Sequence, residues 1–207
     1  VSDAVQGAGA TDDDDFSIVS LLKSKPPSIA AFEASGVFND SSIAGAIPVR
    51  VSQYVYAWDN APHRKYVILK YALHNTGSVL LTNLWAGLYA DWDIEDYQHN
   101  KCTTDLGRKM GIAWSSDSSL YTATKVVSPT AFNHYAVDND SSGLGGLDLT
   151  NGFTTSEKYT AISTMRADAG VFGAGKDVID IVSSGPFTMA PGDSVVVAFA
   201  LIAGDSL

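Results

Sequence analysis

At 207 residues the chain is long enough to bury one sizeable core. Its formal net charge of -10 repels phosphate backbones and anionic lipid heads, which argues against nucleic-acid and membrane-surface partners. The single cysteine, Cys102, excludes an intrachain disulfide and a multi-cysteine metal site, and no apolar run approaches the roughly 20 residues of a spanning helix, so membrane insertion is not expected.

Residues 1–15 are rich in Gly, Ala and Asp and end in Asp12-Asp-Asp-Asp15; like charges this dense stay solvated, so the stretch reads as a flexible acidic arm ahead of one domain over 16–207. The start at Val1, without an initiating Met, reads as a matured or excised segment. Phe16 to Leu22 is a strand candidate stopped before Pro26-Pro27, and Ser28 to Ser35 reads as a weak helical turn ending at Gly36. Strands are predicted over 49–58, 65–74 and 80–94. In the second, Val67, Leu69, Tyr71 and Leu73 share one parity and Lys70 and His74 the other, which marks one buried and one wetter face. Shorter strands follow at 110–114, 120–127 and 132–137. A helix over about 154–166 opens with the capping box Thr154-x-x-Glu157 and places Tyr159, Ile162 and Met165 along one side. Asp177 to Val182 is ambiguous between helix and strand, and Ser194 to Ala203 is apolar at both parities, as in a strand covered on both faces. The sum is an all-β fold, an antiparallel β-sandwich of long strands with one short helix.

Chemistry is concentrated in Trp85-Ala-Gly-Leu-Tyr-Ala-Asp-Trp-Asp93-Ile-Glu-Asp96. As a strand it places Trp85, Gly87, Tyr89, Asp91 and Asp93 on one face and Leu84, Leu88, Trp92 and Ile94 on the other. Two carboxylates about 6 to 7 Å apart suit one hard cation, and Ca²⁺ takes six to eight oxygens, so Asp91, Asp93, Asp96 and Asn100 form a candidate Ca²⁺ set, with Glu95 and Asp105 nearby. The spacing is not that of an EF-hand. Trp85 and Tyr89 are candidate stacking platforms for a glycan, with Trp58 and Tyr97 as further aromatic candidates. As a pair for glycoside hydrolysis, Asp91 and Asp93 stand too close along one element without a second wall. None of His63, His74, His99 and His134 stands in a zinc spacing, Cys102 reads as a small loop residue, and no nucleophile elbow is present. Gly143-Leu-Gly-Gly146 and Gly173-Ala-Gly-Lys176 lack a Lys-Ser/Thr ending and a parallel βαβ setting, and read as turns.

Four phrases in combination, Tyr66 to Gly77, Asn83 to Ile94, Gly152 to Tyr159 and Gly185 to Gly204, resemble a β-rich module of large secreted proteins of Gram-negative bacteria, including C-terminal regions of subtilisin-like serine peptidases. The resemblance spans about 48–207. It implies a non-catalytic accessory module held outside the cell, and it names no ligand.

The expectation is therefore an exported, non-enzymatic structural, adhesive or accessory module at the cell surface, with other surface proteins or copies of itself as partners. Phe16 to Leu22 is the segment expected to pair with a neighbouring copy. The rival expectations are a Ca²⁺- or carbohydrate-binding module, and third a polysaccharide-active enzyme.

Overall fold

The computed structural model describes residues 1–6, 12–41, 43–117, 119–139, 146–147 and 149–206. Its strands run Ala4–Gln6 (β1), Asp12–Asp14 (β2), Ser17–Lys25 (β3), Phe32–Asn39 (β4), Val49–Ala57 (β5), Tyr66–Asn75 (β6), Leu81–Asp91 (β7), Asn100–Asp105 (β8), Met110–Ser115 (β9), Tyr121–Val126 (β10) and Asn133–Asp138 (β11). A helix, Thr155–Ser163 (α1), precedes Val178–Met189 (β12) and Ser194–Gly204 (β13). Eight strands form one sheet in the order β3-β4-β5-β6-β13-β10-β9-β8, and β11-β12-β7 form a second sheet facing it. All the strand ladders are antiparallel, as the sequence predicts. β12 packs across β8, β9, β10 and β13.

Side-chain parity carries the inner face across the large sheet. Val51 opposes Leu73, Gln53 opposes Tyr71, and Tyr71 opposes Val197. Farther along, Val126 opposes Phe199, Thr124 opposes Gly111, and Cys102 opposes Ala113. Leu84, Ala86 and Leu88 of β7 meet this face, packing with Val182, Val197 and Phe199. The predicted alternation of β6 is thus observed, with Leu73 buried and Lys70 turned outward over the Tyr54 ring.

The outer face of the small sheet is covered rather than wet. Tyr135, Ile179 and Ile181 pack there against Leu147, Leu149, Phe153 and Ala161, with Tyr89 alongside. The odd-numbered side chains of β7 therefore point away from the sandwich interior, as expected, but under a second apolar layer. The capping box of α1 forms as predicted, with Glu157 N donating to Thr154 Oγ1 and Thr154 N donating to Glu157 Oε2 at 2.9 Å. The helix stops at Ser163, short of the expected 166, because Thr164 is extended (φ -124, ψ 160). Its buried side chains are Lys158 and Ala161, with Ile162 packed beside them; Tyr159 and Met165 are exposed.

Three local expectations are corrected. The turn expected at 28–35 is a cradle and then β4: the Glu33 carboxylate accepts from the amides of Ser28, Ile29 and Ala30 and pairs with Lys25 at 3.0 Å. Those amides hold its carboxyl far below the usual range, with Lys25 adding to the effect. Cys102 is on a strand, not a loop, since the inward residues of β8 are Asn100, Cys102 and Thr104, too polar to show an apolar period. The flexible arm is in part folded: β1 pairs with β2, and Asp3 Oδ1 accepts from the Lys158 ammonium at 2.7 Å. Residues 7–11 of it lie outside the described residues, as does the expected turn at 143–146 apart from Gly146.

Candidate functional site

Three strands cannot cover eight, and the uncovered inner face becomes a cleft. Its volume is about 840 Å³, within the usual range for small-molecule sites. Val49, Val51 and Gln53 of β5 with Tyr71 and Leu73 of β6 make the floor; β7, from Leu81 to Tyr89, makes one wall. Among the described residues β7 is the last strand of its sheet on this side, so it meets the cleft with its edge. Ala161, Ile162 and Phe153 close one end, and residues 1–5 cross the top.

That crossing segment is fastened at both sides. Ser2 Oγ donates to Asp40 Oδ2 beside β4, and Asp40 also accepts from Ile47 N at 2.6 Å. On the other side Lys158 pairs with Asp3 and lies 5.8 Å from the Phe153 ring centroid. The carboxylates at the cleft rim are thus committed to structural contacts, and the interior is mainly rings and aliphatic chains. Gln53 Nε2 donates to the Tyr71 hydroxyl at 3.4 Å, which supplies one polar spot on the floor.

Both stacking residues named from the sequence, Trp85 and Tyr89, line this cleft. Trp85 is partly exposed and lies against Gly185, where a Cβ would sit 2.8 Å from its ring. Tyr89 packs on Phe153, with centroids 6.1 Å apart. Its hydroxyl pKa is pushed up strongly, first by burial and then by the charges of Asp91, Asp177 and Asp93. Tyr89 therefore stands between the cleft and an acidic cluster. Of the other two aromatic candidates, Tyr97 is exposed on a 3-10 turn, and Trp58 stacks with Tyr66 at 5.5 Å away from the cleft.

The acidic cluster consists of Asp91, Asp93 and Asp177, whose carboxylate oxygens lie within 4.8 Å of one another. β7 ends at Asp91, and Asp93 reaches its neighbour through a left-handed turn (φ 36) rather than by continued pleating. Asp177 Oδ2 accepts from Asn139 at 3.0 Å, whereas its Oδ1 is buried with no hydrogen-bond partner among the described residues. Partial desolvation, then Asp93 and Asp177, push the Asp91 pKa up to about 6.

Asn100 and Asp96, the other two members of the Ca²⁺ set, are occupied elsewhere. Asn100 is buried; its Oδ1 accepts from Ile94 N, and its Nδ2 donates to the carbonyls of Ile94 and Asp96, each at 2.8 Å. Asp96 caps a 3-10 turn by accepting from Gln98 N and lies 3.8 Å from His99. Sequence reasoning missed Asp177, because it is 84 positions from Asp93 and β12, which follows it, carries no acidic pattern. It also missed the floor, where Tyr71 and Leu73 read as ordinary core.

No protein-family profile matches the chain, and no curated protein matches it. Among solved structures, a putative aldose 1-epimerase from Escherichia coli K12 is similar at 10% identity and a TM-score of 0.48, over 88% of this chain and 68% of that one. A TPR-domain containing protein from Parabacteroides distasonis is similar at 8% identity and a TM-score of 0.44, over 91% of this chain but 35% of that one. Both likenesses are distant and neither extends to activity.

The expectation of a non-enzymatic structural or adhesive module, joined to other copies through Phe16 to Leu22, is corrected. The first of these likenesses is to a putative aldose 1-epimerase, not to an adhesin or a surface accessory module. The segment expected to join copies is the edge strand of the large sheet, where Ser17–Lys25 pairs with Phe32–Asn39.

Proposed function

We propose that the protein is a carbohydrate-binding β-sandwich that takes its ligand in the cleft beside β7. The observation that carries this reading is the pair Trp85 and Tyr89 in the wall of an 840 Å³ concavity. A sugar ring offers one face of C–H groups to an indole or phenol, and the amide of Gln53 on the floor suits a hydroxyl. Binding rather than turnover is what the rim supports, since Asp3 and Asp40 are held by Lys158, Ser2 and Ile47. Calorimetry and tryptophan fluorescence against a panel of soluble oligosaccharides test the proposal. A saturable signal that Trp85→Ala removes without lowering the melting point by more than a few degrees is expected. Silence across the panel at millimolar sugar rejects it.

A second reading, Ca²⁺ at Asp91, Asp93 and Asp177, is favoured by the unpartnered Oδ1 of Asp177. Three carboxylates alone leave room for carbonyls and waters in the shell that Ca²⁺ takes. A ligand that binds only the folded state at 100-fold excess over its dissociation constant adds about 2.7 kcal/mol. Millimolar Ca²⁺ should therefore raise the melting point of the wild type and leave Asp177→Asn unmoved. An unchanged wild-type melting point removes the ion.

A further inference from the structure

At the end of the sandwich away from the cleft, three unlike side chains converge where water does not reach. Cys102 on β8 is 1% exposed, and His134 on β11 and Asp180 on β12 are 0% exposed. Cys102 Sγ lies 3.6 Å from His134 Nε2, and Nε2 lies 3.1 Å from Asp180 Oδ1. All three ligand atoms fall within 4.8 Å of one another.

Counting protons shows that something is missing between them. The Thr104 hydroxyl donates to Ala167 O at 3.0 Å, so its oxygen accepts from His134 Nδ1 at 2.6 Å. With its proton on Nδ1, a neutral imidazole turns a bare Nε2 lone pair toward the sulfur and the carboxylate. Asp180 Oδ2 is filled by the Thr124 hydroxyl at 2.7 Å and the Trp92 indole N–H at 3.2 Å. Asp180 Oδ1 has no hydrogen-bond partner among the described residues, despite its distance from Nε2. The Cys102 thiol can donate to Nε2 at 3.6 Å, but Asp180 Oδ1, facing both atoms in a dry interior, is left without a donor, which is costly unless a positive charge lies beside it.

That charge is either a second proton on His134 or a metal ion. An imidazolium would aim its Nε2–H at Oδ1, yet the ring and the carboxylate are not aligned for a hydrogen bond at 3.1 Å. Tetrahedral zinc, with Zn–S near 2.3 Å and Zn–N and Zn–O near 2.0–2.2 Å, spaces its ligand atoms roughly 3.3–3.6 Å apart. The observed 3.6 and 3.1 Å are close to that spacing. The surroundings also match a metal site. Thr104 fixes the imidazole tautomer, and Thr124 with Trp92 holds the carboxylate oxygen that would not ligate. Gly111 provides the room, for a Cβ there would stand 2.0 Å from Asp180 Oδ1 and 2.7 Å from the His134 ring. Burial together with the Asp180 charge pushes the Cys102 thiol up, so a thiolate exists here only where a cation displaces its proton.

We propose that Cys102 Sγ, His134 Nε2 and Asp180 Oδ1 bind Zn²⁺, as a staple between β8 of the large sheet and β11 and β12 of the small one. The full burial of all three groups sets a Cys-His-Asp nucleophile aside, because no substrate reaches the sulfur. For the same reason the ion is taken up as the chain folds, with release of the thiol proton to solvent.

The test uses the full chain without affinity histidines, unfolded in denaturant with a chelator and refolded without metal, with Zn²⁺ or with Co²⁺. One zinc per chain after desalting and a raised unfolding midpoint are expected. The Co²⁺ form should show a thiolate-to-metal charge-transfer band and tetrahedral visible absorption, and Cys102→Ser should lose the charge-transfer band. The triple variant Asp91→Asn, Asp93→Asn, Asp177→Asn should keep the metal. If the wild type refolds in Zn²⁺ to the metal-free midpoint and binds none, the staple is overturned. Loss of the metal in the triple variant overturns it equally, by moving the ion to the other cluster. If Cys102→Ser does not fold, the wild-type metal content and Co²⁺ spectrum still decide.

Discussion

The two ends of the sandwich use the same inward parity to opposite effect. At the closed end the inward residues of the large sheet are small or polar, Cys102, Thr104, Gly111, Ala113 and Thr124, and the sheets approach closely over Ala136 and Asp180. At the open end they are Val51, Leu73, Tyr71 and Gln53, and the facing layer is missing beyond β7. A fully buried part of the molecule thus holds a set of linked polar groups, while large apolar side chains border the cleft. Small residues let two sheets seal around buried polar groups; large apolar ones, left without a third layer, line a site. The difference follows from strand count and from side-chain volume, not from overall hydrophobicity.

The most severe way to break the comparison is to force the closed end apart. Gly111→Ala places a methyl carbon 2.0 Å from a buried carboxylate oxygen and 2.7 Å from a buried ring, with no flexible side-chain end to yield. We expect a loss of at least about 3 kcal/mol, or failure to fold, read from urea unfolding midpoints. Gly87→Ala, on the wall near the cleft, meets Ile162 Cγ2 and Ser183 Cβ at 3.1 Å and should cost about 1 kcal/mol. Equal losses at both positions would mean that the two ends are equally tight.

The next effect concerns the top of the open end. Lys158 is 5% exposed, and its ammonium holds Asp3 at 2.7 Å. Lys158→Met keeps most of the apolar stem but leaves Asp3 without this cation. A loss of about 2 kcal/mol is expected, less than for a fully buried pair because Asp3 is partly exposed. Limited proteolysis should then release the first 15 or so residues while the remainder stays folded. An unchanged cleavage pattern would show that the remaining contacts, among them Ser2 with Asp40 and β1 with β2, hold residues 1–5.

Much of this architecture is readable in the sequence. Strands 49–57, 66–75, 81–91 and 194–204 announce themselves by β-branched and aromatic runs between turn residues, and the helix by Thr154 and Glu157. β8 was hidden because its inward side chains are Asn, Cys and Thr, so the period-2 signal is absent where the closed end is polar. β4 was hidden because Glu33 is buried by a cradle of amides, which composition does not reveal. For the site, Trp85 and Tyr89 were visible as aromatics on one strand face and Asp91 with Asp93 as a local pair. Asp177, the floor of the cleft and the meeting of Cys102, His134 and Asp180 depend on pairings of residues far apart in the chain, which a local pattern does not encode.

The smallest effect sharpens the boundary between the two ends at the acidic cluster beside Tyr89. With its pKa pushed up to about 6, against about 3.9 in an unfolded chain, Asp91 binds more protons folded than unfolded across that interval. Its contribution to stability therefore falls as pH rises from about 4 to 6 and stays low above that. The group is largely solvent-accessible and screened, so Asp91→Asn should add roughly a few tenths of a kcal/mol at neutral pH and flatten the decline. Ca²⁺ would reverse the sign: it requires the ionised carboxylates, so stabilisation by the ion should grow above pH 6 in the wild type and shrink in Asp91→Asn. Melting points taken from pH 4 to 8 with and without Ca²⁺ separate the two cases. Parallel curves for wild type and Asp91→Asn would show that the three carboxylates do not share one electrostatic site.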